Sequence, residues 1–224
     1  MDLDFSPVWE GWHDLLRGAL VTVEITACAL ALGCVLGLMV GIGRLNPKRR
    51  WLYGICTAYV AAIRGTPLLV QLFILFFGLP HFGILLPAFV CGVLGLGVYS
   101  GAYVSEIVRG AIQSIDKGQT MAAQSLGMTP GLAMRHIVLP QAVVRMIPPL
   151  GNEFIGMVKA TSLASVIQYP ELLHNAENIY YANSRVIELL IVAGCWYLLV
   201  VSILTPLQML LERHFARGTA RINR

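Results

Sequence analysis

Residues 18–42 read GALVTVEITACALALGCVLGLMVGI, an apolar run in which Glu24 is the single charge. A helix crosses the hydrocarbon core of a bilayer, about 30 Å, with about 20 mostly apolar residues. This run is long enough, and the rest of the chain repeats the pattern. Residues 53–77, 84–108, 137–158 and 186–211 are four further candidate spans. They predict an all-α integral membrane protein, with five transmembrane helices in one domain over residues 1–224. Composition agrees: the chain is 57% hydrophobic and 12% charged, with a mean hydropathy of +0.71. A soluble domain carries about a quarter charged residues.

The first run places Gly33, Gly37 and Gly41 four positions apart. Small residues at that spacing let a second helix approach closely. Glycine is also simply common in membrane helices, so the spacing admits both readings. Cys28, Cys34, Cys56, Cys91 and Cys195 are scattered through apolar stretches with no CxxC or Cys/His spacing. Neither a disulfide framework nor a zinc site is indicated.

Basic residues mark the cytoplasmic side of a membrane protein. Arg44, Lys48, Arg49 and Arg50 lie between the first two runs, and Arg109, Lys117 and Arg135 between the third and fourth. Arg213, Arg217, Arg221 and Arg224 follow the fifth. The other side has Arg17, Lys159 and Arg185 beside most of the acids. The N-terminus is therefore expected outside and the C-terminus inside. The net charge of +4 belongs to these loops, and no nucleic-acid surface is implied. Asp2, Asp4, Glu10 and Asp14 make an acidic start, whereas a cleavable signal needs a basic one. The first run is expected to remain as an anchor.

The loop at 109–136, RGAIQSIDKGQTMAAQSLGMTPGLAMRH, carries the strongest local signals. Asp116 followed by Gln119 matches a capping box with Asp116 as N-cap. A short helix is expected over residues 120–126, ended at Gly127, where glycine accepts the left-handed conformation. Thr129 and Pro130 restart a second helix as N-cap and first helical residue. The result is a compact knob at the membrane surface with Ala122 and Ala123 on top. It suits a groove on a partner, or it is an ordinary amphipathic surface helix.

Here the chain resembles the permease subunits of binding-protein-dependent ABC importers. Gly118-Gln119, Ala122-Ala123, Leu126-Gly127-Met128 and Ile137-Val138-Leu139-Pro140-Gln141-Ala142 look like that family's EAA loop. Arg64-Gly65-Thr66-Pro67-Leu68-Leu69-Val70-Gln71 resembles a signature of its polar amino-acid branch, as do Asn152-Glu153 and Lys159-Ala160-Thr161-Ser162-Leu163-Ala164. The resemblance implies a type I importer fold in a bacterial inner membrane and a pair of permease subunits. It also implies a separate ATPase dimer that holds ATP and magnesium, a periplasmic or lipid-anchored solute-binding protein, and an amino-acid substrate. No GxxxxGK[ST] loop occurs in the chain, so a pump of this kind keeps its engine elsewhere. The coupling loop, residues 114–136, would dock on the ATPase through Gly118, Gln119, Met121, Ala122, Ala123, Ser125, Leu126 and Gly127. Met121 stands where the family has its glutamate, which leaves apolar packing for that contact.

Ionisable and strongly polar groups within membrane helices are functional candidates. Arg64 falls near the middle of the second run, beside Pro67, which weakens a helix. It either meets a substrate carboxylate or pairs with Glu153 or Glu106. Pro148, Pro149 and Gly151 are expected to interrupt the fourth span just before Asn152 and Glu153. Two interrupted spans point to a permeation path between them. Ser100, Tyr103 and Glu106 recur every three residues on one polar face, and Glu106 is expected to pair with Arg109. The expected path comprises Arg64, Thr66, Gln71, Ser100, Tyr103, Asn152 and Glu153. Residues 168–185 form the longest outer loop, helix-compatible, with Tyr180 and Tyr181 suited to the interface. With the N-terminal segment, it is the expected seat of the binding protein. A stand-alone transporter driven by an ion gradient is the competing reading.

Overall fold

The computed structural model describes residues 3–219, with side chains as far as Phe215. Asp2 and the side chains of Arg217, Arg221 and Arg224 lie outside the described residues. Every regular element among the described residues is helical. A short α1 (Ser6–Glu10) leads into α2 (Trp12–Gly43), followed by α3 (Arg50–Gly65), α4 (Leu68–Phe73) and α5 (Ala88–Gln113). The remaining helices are α6 (Lys117–Ser125), α7 (Pro130–Ala133), α8 (Leu139–Ala160), α9 (Leu172–Asn183) and α10 (Val186–Thr219). The helices α2 and α5 and residues Val186–Phe215 of α10 are long and apolar enough to cross a membrane. The pair Arg50–Gly65 and Leu68–Phe82 adds a fourth candidate if it counts as one bent span. The fourth expected run is a continuous helix, α8, but it carries Arg145, Glu153 and Lys159 and is less apolar than α2, α5 and α10.

Helices α2 and α5 lie against each other at backbone distance. A Cβ added at Gly37 would sit 2.5 Å from Val104 Cβ, and one at Gly41 would sit 2.9 Å from Val108 Cβ. At Gly33 the obstacle is Ser100 Cβ, again at 2.9 Å. The contact is reciprocal, since a Cβ at Gly97 would meet the Ala29 carbonyl oxygen at 3.0 Å. The four-residue glycine spacing is thus a packing face, the first of the two readings. Lipid is as apolar as leucine, so helices in a bilayer gain by close packing where small residues permit it. Around this seam Ile25, Ala29, Leu72, Leu96 and Cys91 are fully buried.

The second expected run breaks where its sequence predicts weakness. Proline disfavours the helical conformation in the residue before it, and Thr66 is extended, with φ −120° and ψ 144°. The two halves are bent by 103°. Gln71 bridges the break: its Nε2 donates to the carbonyl oxygens of Ile63 at 2.9 Å and Thr66 at 3.2 Å, and to Thr66 Oγ1 at 2.9 Å. Carbonyls left free by the end of α3 therefore find a donor.

The expected interruption of the fourth span is not present. Pro148 and Pro149 lie inside α8, which runs unbroken from Leu139 to Ala160. Each proline forfeits one backbone hydrogen bond, and packing on α5 and α10 holds the helix through them.

Asp116 and Thr129 cap the two helices of the surface loop as expected, but α6 spans Lys117–Ser125 and so starts three residues before the expected 120. Asp116 Oδ1 accepts the Gly118 amide at 2.5 Å, and Thr129 Oγ1 accepts that of Leu132 at 3.3 Å. Gly127 has φ +85° and ends α6. There the Met128 amide bonds back to the Ala123 carbonyl and the Gly127 amide to that of Gln124, which is the double closure of a Schellman motif. One expectation needs correction: Ala122 is on the surface, but Ala123 is buried against the rest of the chain. The loop at 168–185 contains α9, capped by Glu171, whose carboxylate accepts the Leu173 and His174 amides at 3.0 and 2.7 Å.

The glycine seam makes a contrast testable by thermal unfolding in detergent. Gly37→Val should destabilise the chain by about 1–3 kcal/mol through overpacking against Val104. Gly54→Ala, where a Cβ meets nothing within 4 Å, should be neutral or stabilising by about 0.5–1 kcal/mol. Equal melting temperatures for the two variants would contradict the seam.

Candidate functional site

The parallel register of α2 and α5 sets the polar residues of the interior. Along α5, Ser100, Tyr103 and Glu106 follow one another on one face, as their spacing predicts. Ser100 is fully buried, and its hydroxyl donates to Glu153 Oε1 at 3.0 Å. That bond joins α5 to α8. Tyr99 donates to the Tyr103 hydroxyl at 3.0 Å, and the Arg64 guanidinium lies over the Tyr103 ring, 4.9 Å from its centroid. A cation over an aromatic face is held by the ring's quadrupole.

Glu106 is the hub of this face toward the C-terminal end of α5. Arg109 Nη2 and Nε donate to its Oε2 at 2.6 and 3.1 Å, the i,i+3 pair that the sequence predicts. Arg44, at the C-cap of α2, binds Oε1 directly. Arg64 Nη1 is 4.0 Å from the same oxygen. Of the two acids weighed as partners for Arg64, Glu106 is therefore the one beside it, and Glu153 is taken by Ser100.

The expected path residues fall into separate groups. Arg64 and Tyr103 are together, and so are Ser100 and Glu153. Thr66 and Gln71 are occupied with each other across the break between α3 and α4. Asn152 is turned toward α10, where Gln208 Nε2 donates to its Oδ1 at 3.2 Å. Sequence reasoning passed over three participants. Arg44 reads as a loop charge because it directly follows the first apolar run. Arg145 reads as part of a span, yet its Nη1 donates to the Ser114 carbonyl at 2.5 Å and hydroxyl at 2.9 Å, tying α8 to the end of α5. Glu171 is fully buried and receives the Tyr197 hydroxyl at 2.5 Å, joining α9 to α10. Burial pushes its carboxyl up, against the downward pull of the Tyr197 hydroxyl and the two capping amides. Glutamate at an N-cap, outside the usual Ser/Thr/Asp/Asn set, was the signal that could have found it.

On the surface loop, Met121 is 61% and Leu126 84% exposed. With Ala122 they present an apolar rim carried by a capped helix, and Gly127 sets the turn behind it.

The Glu106 hub supplies a stability test. The Arg44 and Glu106 side chains are 12% and 22% exposed, so Glu106→Gln leaves a largely buried guanidinium without its counter-charge. Breaking one side of such a pair costs about 3 kcal/mol. Denaturation in detergent should show that loss, whereas Gln113→Ala, at the exposed end of the network, should change stability by less than about 0.5 kcal/mol. No loss in Glu106→Gln would mean the hub is not a structural pair.

Comparison with known proteins fits this arrangement. The L-cystine transport system permease protein TcyB of Bacillus subtilis (strain 168) is 38% identical over 213 residues, covering 94% of this chain and 90% of TcyB. The glutamine transport system permease protein GlnP of Escherichia coli (strain K12) is 35% identical over 216 residues, covering 95% and 98%. A chain in the crystal structure of an amino acid ABC transporter with histidines superposes with a TM-score of 0.90 at 37% identity, covering 96% of this chain and all of that one. The family model described as binding-protein-dependent transport system inner membrane component matches residues 33–217. With the Gly33–Gly37–Gly41 face of α2, all of α5, the bent α3–α4 pair and the capped loop inside that match, the chain belongs to the family of binding-protein-dependent transport system inner membrane components.

Proposed function

We propose that this chain is the membrane-spanning subunit of an ATP-binding-cassette importer for polar amino acids. The observation that carries the reading is its likeness, over nearly the whole length, to permease chains named for amino-acid transport. In this reading α2, the bent pair α3–α4, α5, α8 and α10 are five spans, with the N-terminus outside and the C-terminus in the cytoplasm. At 1.5 Å per residue, the 22 residues of α8 reach about 33 Å, enough to cross. Its charges have uses: Arg145 holds the α5 corner, Glu153 lines the path, and Lys159 snorkels at the outer end. The basic residues of the connecting loops support the orientation.

ATP and magnesium belong to a separate ATPase dimer, and this chain forms a pair with a second permease subunit in the bacterial inner membrane. Residues 114–136 couple the two layers, with Met121 and Leu126 as apolar contacts and Gly127 fixing the loop. The outer end, where Asn175 of α9 donates to the Asp14 carbonyl of α2 at 2.8 Å, receives the solute-binding protein. Along the path Glu153 of α8 accepts a substrate amino or guanidinium group, and Tyr103 of α5, with Arg64 of α3 over its ring, lies further along. A stand-alone ion-coupled transporter is disfavoured by the family membership.

Uptake of radiolabelled amino acids by cells that depend on this chain tests both parts. Gly127→Pro cannot adopt the positive φ of the loop, and it should abolish uptake while the protein remains in the membrane. Glu153→Gln keeps an acceptor for Ser100 but removes the charge. A charge-assisted hydrogen bond contributes about 1.5–3 kcal/mol, so uptake of a cationic amino acid should fall about tenfold or more. Unchanged uptake in Glu153→Gln removes that residue from the path, and unchanged uptake in Gly127→Pro removes the loop from coupling.

A further inference from the structure

Residues 189–211 of α10 carry no charge, and Glu212 is the first charged residue after them. At 1.5 Å per residue that stretch is about 34 Å long, close to the about 30 Å of a hydrocarbon core. Glu212 therefore lies at the headgroup level of the leaflet in which α10 ends. A cavity of about 440 Å³ begins there, between α2, α8 and α10. Cys34 of α2, Leu150 and Phe154 of α8, and Leu204 and Leu207 of α10 are among its walls. Leu207 is 54% exposed, so the cavity is a groove open to the lipid side. Phe154 packs against the same buried cluster as Leu204, at the deep end. From Glu212 to Leu204 is about 12 Å along the helix, against about 15 Å for the apolar half of one leaflet.

The polar end of the groove is independent of its length. Gln208 Nε2 donates to Glu212 Oε1 at 2.8 Å and to Asn152 Oδ1 at 3.2 Å. Both hydrogens of that amide are used, and the amide is neutral. No basic side chain among the described residues pairs with Glu212. A half-buried carboxylate at headgroup level is thus left with free lone pairs and no counter-charge. Water is held poorly by the aliphatic walls, which offer it no partners. An anionic headgroup is repelled by Glu212. A cationic headgroup whose nitrogen carries hydrogens offsets the charge and donates to the free lone pairs, the stronger kind of hydrogen bond.

We propose that this groove binds one phospholipid with a primary ammonium headgroup, its acyl chain lying between α2, α8 and α10 and its ammonium donating to Glu212. The inference rests on the membrane-spanning part of the reading above, and of that only on α2 and α10, both long and apolar enough to cross. Its test contains neither ATP nor an amino acid, so its failure leaves the transport reading standing.

The test is thermal unfolding and native mass spectrometry of the full chain, with the subunits that copurify with it, in nanodiscs of fixed phosphatidylglycerol content. The remaining lipid is phosphatidylethanolamine in one set and phosphatidylcholine in the other. Phosphatidylcholine keeps the positive charge but has methyl groups in place of every N–H. A ligand that binds only the folded state raises the melting temperature, and at about tenfold over Kd the shift for a chain of this size is about 3–5 °C. The expected result is such a rise in phosphatidylethanolamine, with that lipid retained in the mass spectrum. Both are lost in Glu212→Gln, which removes the charge, and in Leu207→Trp, which fills the groove. In phosphatidylcholine Glu212→Gln should melt with the wild type, since glutamine keeps the acceptor for Gln208. Equal melting in the two lipids overturns the site, and so does the same rise in the wild type and both variants, which marks a bulk property of the bilayer. Separation of the permease pair by Leu207→Trp, with no lipid effect in the wild type, assigns the groove to a partner chain and overturns the proposal as well.

Discussion

The near-contact of two backbones along Gly33, Gly37 and Gly41 of α2 governs the rest of the molecule. In water, apolar side chains drive helices together, but in lipid that drive is absent and close packing must substitute for it. Because Gly37 lies under Val104 and Gly41 under Val108, the register between α2 and α5 is fixed to the residue. That register delivers Arg44, the last residue of the α2 side, to Glu106. It also turns Ser100 inward to meet Glu153. A one-residue slip would move the polar face of α5 away from both partners.

Prolines show how tertiary setting decides between outcomes that look alike in sequence. Pro67 follows a threonine that can adopt extended geometry, and Gln71 is placed to cap the exposed carbonyls, so the helix breaks and bends. Pro148 and Pro149 sit in a helix packed on both sides, and it continues through them. The outcome is one broken helix pair, α3–α4, and one intact helix, α8, bearing Glu153. The polar groups of α5 run from Ser100, bonded to Glu153 of α8, past Tyr103, to the guanidinium-rich cluster around Glu106.

Much of this was readable before the structure was known, because it rests on local rules. The apolar runs, the caps at Asp116 and Thr129, the stop at Gly127 and the Glu106–Arg109 pair all depend on residues close in sequence. What could not be read depends on which faces meet. Ala123 is as small as Ala122, and only its contact with the rest of the chain distinguishes the buried residue from the exposed one. Arg44 looks like any loop cation until α5 brings Glu106 to it. Asn152 stands next to Glu153, yet the helical step of about 100° turns it toward Gln208. Three charges made α8 the least membrane-like of the long helices, although each has a partner or a boundary position that accounts for it.

The central claim is that a permease built on this seam passes amino acids only when a separate engine hydrolyses ATP. Its most direct test is ATP hydrolysis by proteoliposomes that contain this chain, its companion ATPase and its binding protein, across a panel of amino acids. The account predicts hydrolysis stimulated severalfold by one class of polar amino acid and dependent on the binding protein. Hydrolysis indifferent to every amino acid, or accumulation of substrate without the ATPase, would contradict it.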